Sequence, residues 1–255
     1  MIFDTHAHIL DENLESMREE ILADLAQMDG FCEIGCNYES SMRAIQLAEQ
    51  NPKVWAVIGT HPQDAQTLSD EQVEQYKRLS SHPKVVGIGE IGLDYYYEDP
   101  PREIQKIAFE KQLKMACEIE LPICLHVRDS YQDTYELLSK YADKLKGRIL
   151  LHCYSGSAEM VKQFDKFDCY YALGGAVTFK NAKKDDVIRA IKPDRLLLET
   201  DCPYMTPVPF RGKLNKPSYV EYVAQKIASV THESVEEVID RTTANAKRLY
   251  KKIEG

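Results

Sequence analysis

Short apolar, β-branched runs alternate with longer amphipathic stretches along the whole chain. The runs predict strands at 2–8 (IFDTHAH), 31–36 (FCEIGC), 54–60 (VWAVIGT), 85–90 (VVGIGE), 122–127 (PICLHV), 148–153 (RILLHC), 170–175 (YYALGG) and 196–201 (LLLETD). Helical periodicity fills the gaps. Residues 14–29 form one such stretch, with Gly30 placed as a C-terminal stop, and residues 69–80 open with Ser69 three places before Gln72, a capping box. Further helices are predicted near 102–119, 130–144, 157–167, 184–191 and 218–229, with a last one toward the C-terminus.

Strands separated by helix-length segments must pair in parallel through right-handed crossovers, and eight such units close into a TIM (β/α)8 barrel. An open doubly wound sheet would carry a glycine-rich phosphate turn after its first strand, whereas this chain has His-Ala-His there. At 255 residues the length suits one barrel, and no Ser/Gly-rich linker divides it, so residues 1–255 are expected to form a single domain.

Composition narrows the class. Hydrophobic residues make up 44% and charged residues 29%, the balance of a globular protein with a sizeable core. No apolar run is long enough to span a bilayer, and MIFDTHAHIL lacks the basic start and cleavage site of a signal peptide. A cytoplasmic location with no membrane partner is therefore expected, and nothing points to an obligate protein partner. The cysteines at 32, 36, 117, 124, 153, 169 and 202 form no CxxC pair and are expected to be reduced. A net charge of −9 argues against extensive coating of duplex nucleic acid, since that affinity comes from neutralised phosphates. It leaves room for an enzyme that grips one or two phosphates locally.

Candidate chemistry gathers at the predicted C-terminal strand ends, where catalytic groups of this fold sit. His6 and His8 close the first strand, His61 follows the third, Glu90 ends the fourth, His126 the fifth, His152 the sixth and Asp201 the eighth. Alternation places Asp4, His6 and His8 inward, with Phe3, Thr5 and Ala7 toward the helices. A lone histidine at a strand end is most simply a hydrogen-bonded structural residue. Imidazoles and carboxylates converging without a cation would instead leave costly buried polar groups. The set exceeds one tetrahedral ion, which suggests two divalent cations, one on His6, His8 and Asp201 and one on His126 and His152, with Glu90 able to bridge. Mixed nitrogen and oxygen donors suit zinc, manganese or magnesium.

Five motifs, DTHAHI (4–9), GEIGLDYY (89–96), LHVRDS (125–130), LHCYSG (151–156) and LETDCPY (198–204), together resemble the TatD family of metal-dependent deoxyribonucleases, amidohydrolase-like TIM barrels. The segment PVPFRGKLNKPSYV (207–220) is similar to the family's loop after strand eight. The resemblance implies metal-dependent hydrolysis of phosphodiester bonds in DNA, single-stranded or at ends. It also implies that His6, His8, Glu90, His126, His152 and Asp201 ligate the cations. Tyr154 departs from the common phenylalanine, and its hydroxyl is expected to add a polar contact. Residues 85–94 contain no lysine to bridge metals after carboxylation, which favours Glu90 as the bridge.

Asp201 is the candidate for deprotonating the attacking water, and Glu90 shares the catalytic assignment. Glu199 either orients a ligand or sits in a structural hydrogen-bond network. Arg128, His61, Arg211 and Lys213 are the candidate substrate contacts; for Arg128 a salt bridge to a neighbouring loop is the competing role, and for His61 a structural turn. Tyr95, Tyr96 and Tyr97 could stack bases, although tyrosines in such loops more often pack over helices. The rival activity keeps the metals and changes the substrate: a deacylase acting on an amide or ester, including an aminoacyl ester at a nucleic-acid end. A third reading is a metal-bound scaffold without turnover, against which the full donor set stands.

Overall fold

A computed structural model describes residues 1–254. Its strands are β1 (Ile2–Ala7), β2 (Met28–Ile34), β3 (Val54–Ile58), β4 (Val85–Asp94), β5 (Ile123–Arg128), β6 (Ile149–Leu151), β7 (Tyr170–Leu173) and β8 (Leu196–Leu198). They form one sheet of eight in sequence order, and every pairing is parallel. The ring closes through a bridge between Ala7 and Cys202, with the Asp201 amide donating to His6 O at 2.9 Å and the His8 amide to Cys202 O at 3.0 Å. This is the expected (β/α)8 barrel.

The crossovers carry the helices α1 (Arg18–Asp24), α2 (Tyr38–Gln50), α3 (Asp70–Leu79), α4 (Arg102–Ile119), α5 (Tyr131–Ser139), α6 (Ala142–Leu145), α7 (Ala158–Phe164) and α8 (Asp185–Ala190), then α9 (Val220–Thr231) and α10 (Val235–Leu249). Ser69 and Gln72 form the anticipated capping box on α3. The segment 36–53 drew no helix of its own from periodicity, yet α2 lies there with Asn37 and Ser40 as a capping box. None of the described helices is long and apolar enough to cross a membrane.

Several boundaries differ from the sequence expectation for physical reasons. The single helix over 14–29 breaks into a 3₁₀ turn (Glu12–Met17), α1 and a second 3₁₀ turn (Leu25–Gln27), and β2 begins at Met28. Gly30 is thus a strand residue and not a helix stop. It has φ +147°, and a Cβ there would lie 2.2 Å from Lys53 O, so only glycine lets that backbone approach. The stretch 130–144 divides into α5 and α6. β6 ends at Leu151 and β8 at Leu198, short of 153 and 201, and the chain beyond them passes through left-handed backbone at Cys153 (φ +41°) and Asp201 (φ +55°). β4 instead runs four residues past Glu90, to Asp94.

The barrel interior is filled by one residue or more from each strand, among them Phe3, Cys32, Val57, Cys124, Tyr170 and Leu197. Ala246, Leu249 and Tyr250 of the C-terminal segment join the same cluster and plug the N-terminal end. Phe3 therefore faces inward, against the simple alternation. Register shifts on either side of Phe3–Asp4 break the parity, so that His6 still reaches the interior and Ala7 packs toward the helices. Asp4 turns to hold the ring shut: it accepts from the His6 amide at 3.1 Å, the Thr200 amide at 3.0 Å and the Thr200 hydroxyl. Glu33 of β2, also buried, accepts the amides of Ile9 (2.9 Å) and Leu10 (3.1 Å) and fixes the loop beyond His8. All seven cysteines are free, as expected.

Two outcomes follow from these contacts. Tyr250 is fully buried and its hydroxyl has no hydrogen-bond partner among the described residues. Tyr250→Phe should hold stability within about 1 kcal/mol or raise it, whereas Tyr250→Ala should cost about 3–5 kcal/mol in urea unfolding. Burial pushes the Glu33 carboxyl from 4.5 to about 8, outweighing its two amide bonds. The unfolded chain then releases this proton first as pH rises. Stability of the wild type relative to Glu33→Gln should be greatest below about pH 4.5 and fall by a few kcal/mol toward pH 8. Parallel curves for the two proteins would refute the assignment.

Candidate metal centre

The C-terminal strand ends surround a cavity of about 750 Å³. Its floor is built around Glu90, which is only 4% exposed. Glu90 Oε2 lies 3.4 Å from His6 Nε2 and 3.7 Å from His8 Nε2. Its other oxygen, Oε1, lies 2.7 Å from His126 Nδ1 and 2.8 Å from His152 Nε2. The carboxylate thus sits between two histidine pairs, one oxygen to each. Asp201 Oδ1 completes the first side, 3.8 Å from His6 Nε2 and 3.6 Å from His8 Nε2.

Each of these imidazoles has one ring nitrogen aimed inward and the other directed at a fixed group. His8 Nδ1 faces Ile34 O at 3.3 Å, and His6 Nδ1 faces Cys124 Sγ at 3.4 Å. His126 is turned the other way round, with Nε2 on Asp94 Oδ2 at 3.0 Å and Nδ1 inward. His152 Nδ1 points at Glu199 Oε2 across 3.7 Å, and both atoms are buried without a hydrogen-bond partner among the described residues. The other Glu199 oxygen accepts the Cys153 amide, which anchors the carboxylate below the site. Outer anchoring of this kind fixes the tautomer and orientation of metal-binding histidines. Asp94 drew no role from sequence, although it lies four residues beyond Glu90 in the same motif. Its place became visible only when β4 proved long enough to carry it beside His126.

The inward nitrogens crowd one another. His6 Nε2 and His8 Nε2 are 3.1 Å apart, and His152 Nε2 is 3.4 Å from His126 Nδ1. Nitrogen lone pairs and a nearly buried carboxylate gathered this closely make a donor set that a cation would satisfy. Three groups have donor atoms all within 4.8 Å of one another: His6, His8 and Glu90; His6, His152 and Asp201; and His61, Glu90 and His126.

Electrostatics reflect the same crowding. Burial alone would raise the Glu90 carboxyl, but His152, His61 and its hydrogen bonds to His126 and His152 hold it well below the usual range. Burial lowers His6 and His8, whereas His152 is raised against its burial by Glu90 and Glu199. Burial drives Asp201 to about 7, with the neighbouring Glu90 charge adding to the rise. His61 is lowered to about 4 by burial. Its Nε2 lies 3.6 Å from Glu90 Oε1, while Nδ1 accepts the Gln63 amide at 3.1 Å. That bond leaves Nε2 as the protonated nitrogen, so His61 offers the cavity a donor.

The remaining sequence candidates separate. Arg128 lines the cavity with its guanidinium 3.7 Å over the ring of Tyr96. Arg211 and Lys213 do not line it; they are exposed, over Phe179 at 4.3 Å and Phe210 at 5.5 Å. Tyr95 donates to Asp133 at 2.6 Å and packs over α4 under Arg102, while Tyr97 reaches the cavity. Tyr154 makes the expected polar contact, donating to Ser157 O at 2.9 Å.

Comparison with known proteins identifies the family. Residues 3–251 match the family model described as TatD related DNase. A Bacillus subtilis protein, the uncharacterized metal-dependent hydrolase YabD, is 43% identical over 98% of this chain and 99% of its own. A Cronobacter turicensis protein named 3'-5' ssDNA/RNA exonuclease TatD is 33% identical over 98% of each chain. The crystal structure of YJJV, a TatD homologue from Escherichia coli, superposes with a TM-score of 0.90 at 30% identity over 98% of each chain. The family match over residues 3–251 and the full-length relatives show that the chain belongs to the TatD family of metal-dependent hydrolases.

Proposed function

We propose that this chain hydrolyses phosphodiester bonds in single-stranded DNA or at frayed ends, using two divalent cations. The observation that carries the reading is the division of Glu90, with Oε2 toward His6 and His8 and Oε1 toward His126 and His152. In this reading His6, His8 and Asp201 would hold one cation and His126 and His152 the other, with a Glu90 oxygen facing each pair. Two such cations supply positive charge to offset a phosphoryl group and to ease deprotonation of water.

The chain's own residues do the rest. Asp201 borders the cavity beside the histidine pair of β1 and accepts the proton of the attacking water. Glu90 holds the two histidine pairs at a fixed separation. Arg128 uses its face on Tyr96, which leaves its in-plane N–H groups free for a phosphate oxygen. His61 offers its Nε2–H from the β3 side. Arg211 and Lys213 could act only on strand lying beyond the cavity. The 3'-5' polarity in the Cronobacter relative's name is extended here to this chain.

The reading is tested on 3′- and 5′-labelled single-stranded DNA after chelation and reconstitution. Cleavage should require added metal, elemental analysis should give two ions per chain, and Asp201→Asn should lower kcat by about 10²–10⁴. Arg128→Gln should cost about tenfold or more in kcat/KM on DNA, the scale of a lost charged hydrogen bond. Equal degradation by wild type and Asp201→Asn would expose a contaminant, and turnover of acyl substrates alone would establish the deacylase rival.

Cation uptake should also release protons. Asp201, held near 7 by burial, must ionise to ligate. Apparent affinity, read by competition with a chelating dye, should therefore rise as pH increases from 6 through 7 and go on rising above, because His152, raised by Glu90 and Glu199, must also give up a proton to ligate. The rise approaches tenfold per pH unit for one proton, and Asp201→Asn should weaken it. An affinity independent of pH would contradict the assignment.

A further inference from the structure

The walls of the cavity differ from its floor. Tyr97 stands on the loop after β4 and Tyr204 on the loop after β8, and both line the cavity. In a ring of eight strands in sequence order, β4 and β8 are four strands apart, so the tyrosines flank the floor from opposite sides. Each follows a site carboxylate by three residues, Asp94 and Asp201 respectively. The chain spends little of their apolar surface on its own core: Tyr97 is 47% and Tyr204 53% exposed. Met205, also lining the cavity and 41% exposed, extends the second wall.

Both walls are held in place. Tyr96 meets Tyr97 edge-on with ring centres 5.0 Å apart, and Arg128 lies 3.7 Å over Tyr96 and 5.6 Å from Tyr97. Across the floor, the Tyr204 hydroxyl donates to Asp11 Oδ2 at 3.0 Å, and its amide donates to Asp201 O at 2.9 Å. These are anchored rings at the mouth of a polar pit, with a guanidinium beside one of them.

We infer that Tyr97 and Tyr204 form two stacking walls that receive unpaired nucleobases on either side of the phosphate placed over the Glu90 floor. The inference rests on the nuclease reading and names what that site selects. An exposed ring gains from a flat apolar partner, and every base has a π-face to offer. A base within a duplex has both faces covered by its neighbours, so only a strand with splayed bases can fill the cleft. Arg128 ties the wall to the backbone, since one side chain supports the tyrosine pair and faces the path of the adjacent phosphate. Selection of single strands then follows from stacking and requires no reading of base identity.

The test compares kcat/KM on metal-loaded enzyme for two single-stranded oligonucleotides, one normal and one with abasic sites flanking the scissile phosphate. Wild type should prefer the normal strand by roughly 10- to 100-fold, the range of base–aromatic stacking. Tyr97→Ala and Tyr204→Ala should each bring that ratio toward one, and Tyr97→Phe should restore it, because the ring and not the hydroxyl does the stacking. A wild-type ratio near one, or a ratio that both alanine variants leave intact, overturns the stacking walls while the nuclease reading stands. No cleavage of either strand overturns the nuclease reading and the walls together. Melting temperatures within a few degrees of wild type, as expected for exposed side chains, exclude misfolding as the cause.

Discussion

A single buried carboxylate organises this molecule's polar floor. Glu90 would be prohibitive to bury alone, because an ionised carboxylate loses its hydration in a low-dielectric interior. It is sustained by imidazoles on both oxygens, and their attraction overrides burial to keep it charged. The same contact imposes order on the histidines. Each turns one nitrogen to Glu90 and leaves the other to be held from behind by Ile34, Cys124, Asp94 or Glu199. Removing the carboxylate would leave ring nitrogens packed about 3 Å apart with nothing to reconcile them.

The barrel is what makes that convergence affordable. Parallel strands deliver their C-terminal ends to one rim, and each strand contributes few polar groups, so no single element carries the full desolvation burden. Closure depends on Asp4, whose carboxylate bridges β1 to the backbone after β8 and sets Asp201 beside the first histidine pair. The irregular residues lie where function needs them. Left-handed backbone at Asp201 and Cys153 redirects the chain just beyond β8 and β6, a form of strain that native structures concentrate at sites. Gly92 plays the complementary part: a Cβ there would meet His126 O at 2.1 Å, so its absence lets β4 and β5 approach beside the site.

The cavity's charge bears on the chemistry proposed for it. Asp11, Asp64, Asp94, Glu90 and Asp201 line it against Arg43 and Arg128 among the strong cations. A phosphodiester would be repelled by such a lining on its own. On the proposed reading, bound divalent cations would reverse the local field, which would make metal occupancy a condition for substrate entry as well as for chemistry. The protein's overall acidity is consistent with this arrangement, since attraction is confined to the pit and does not extend over the surface.

Strand order, the helices other than α2, the barrel and the convergence of His6, His8, Glu90, His126, His152 and Asp201 on one rim were legible in the sequence. Each rests on local periodicity and on a fold whose strand ends must meet. The pattern could not reveal that β1 breaks parity and brings Phe3 inside, that β4 continues to Asp94, or that Gly30 serves a strand rather than a helix end. These depend on register shifts and backbone approaches between segments distant in sequence. The same limit separated Arg128, which lines the cavity, from Arg211 and Lys213, which do not. Residue type and motif membership record a side chain's chemistry, whereas its reach is set by the packing of the loop that carries it.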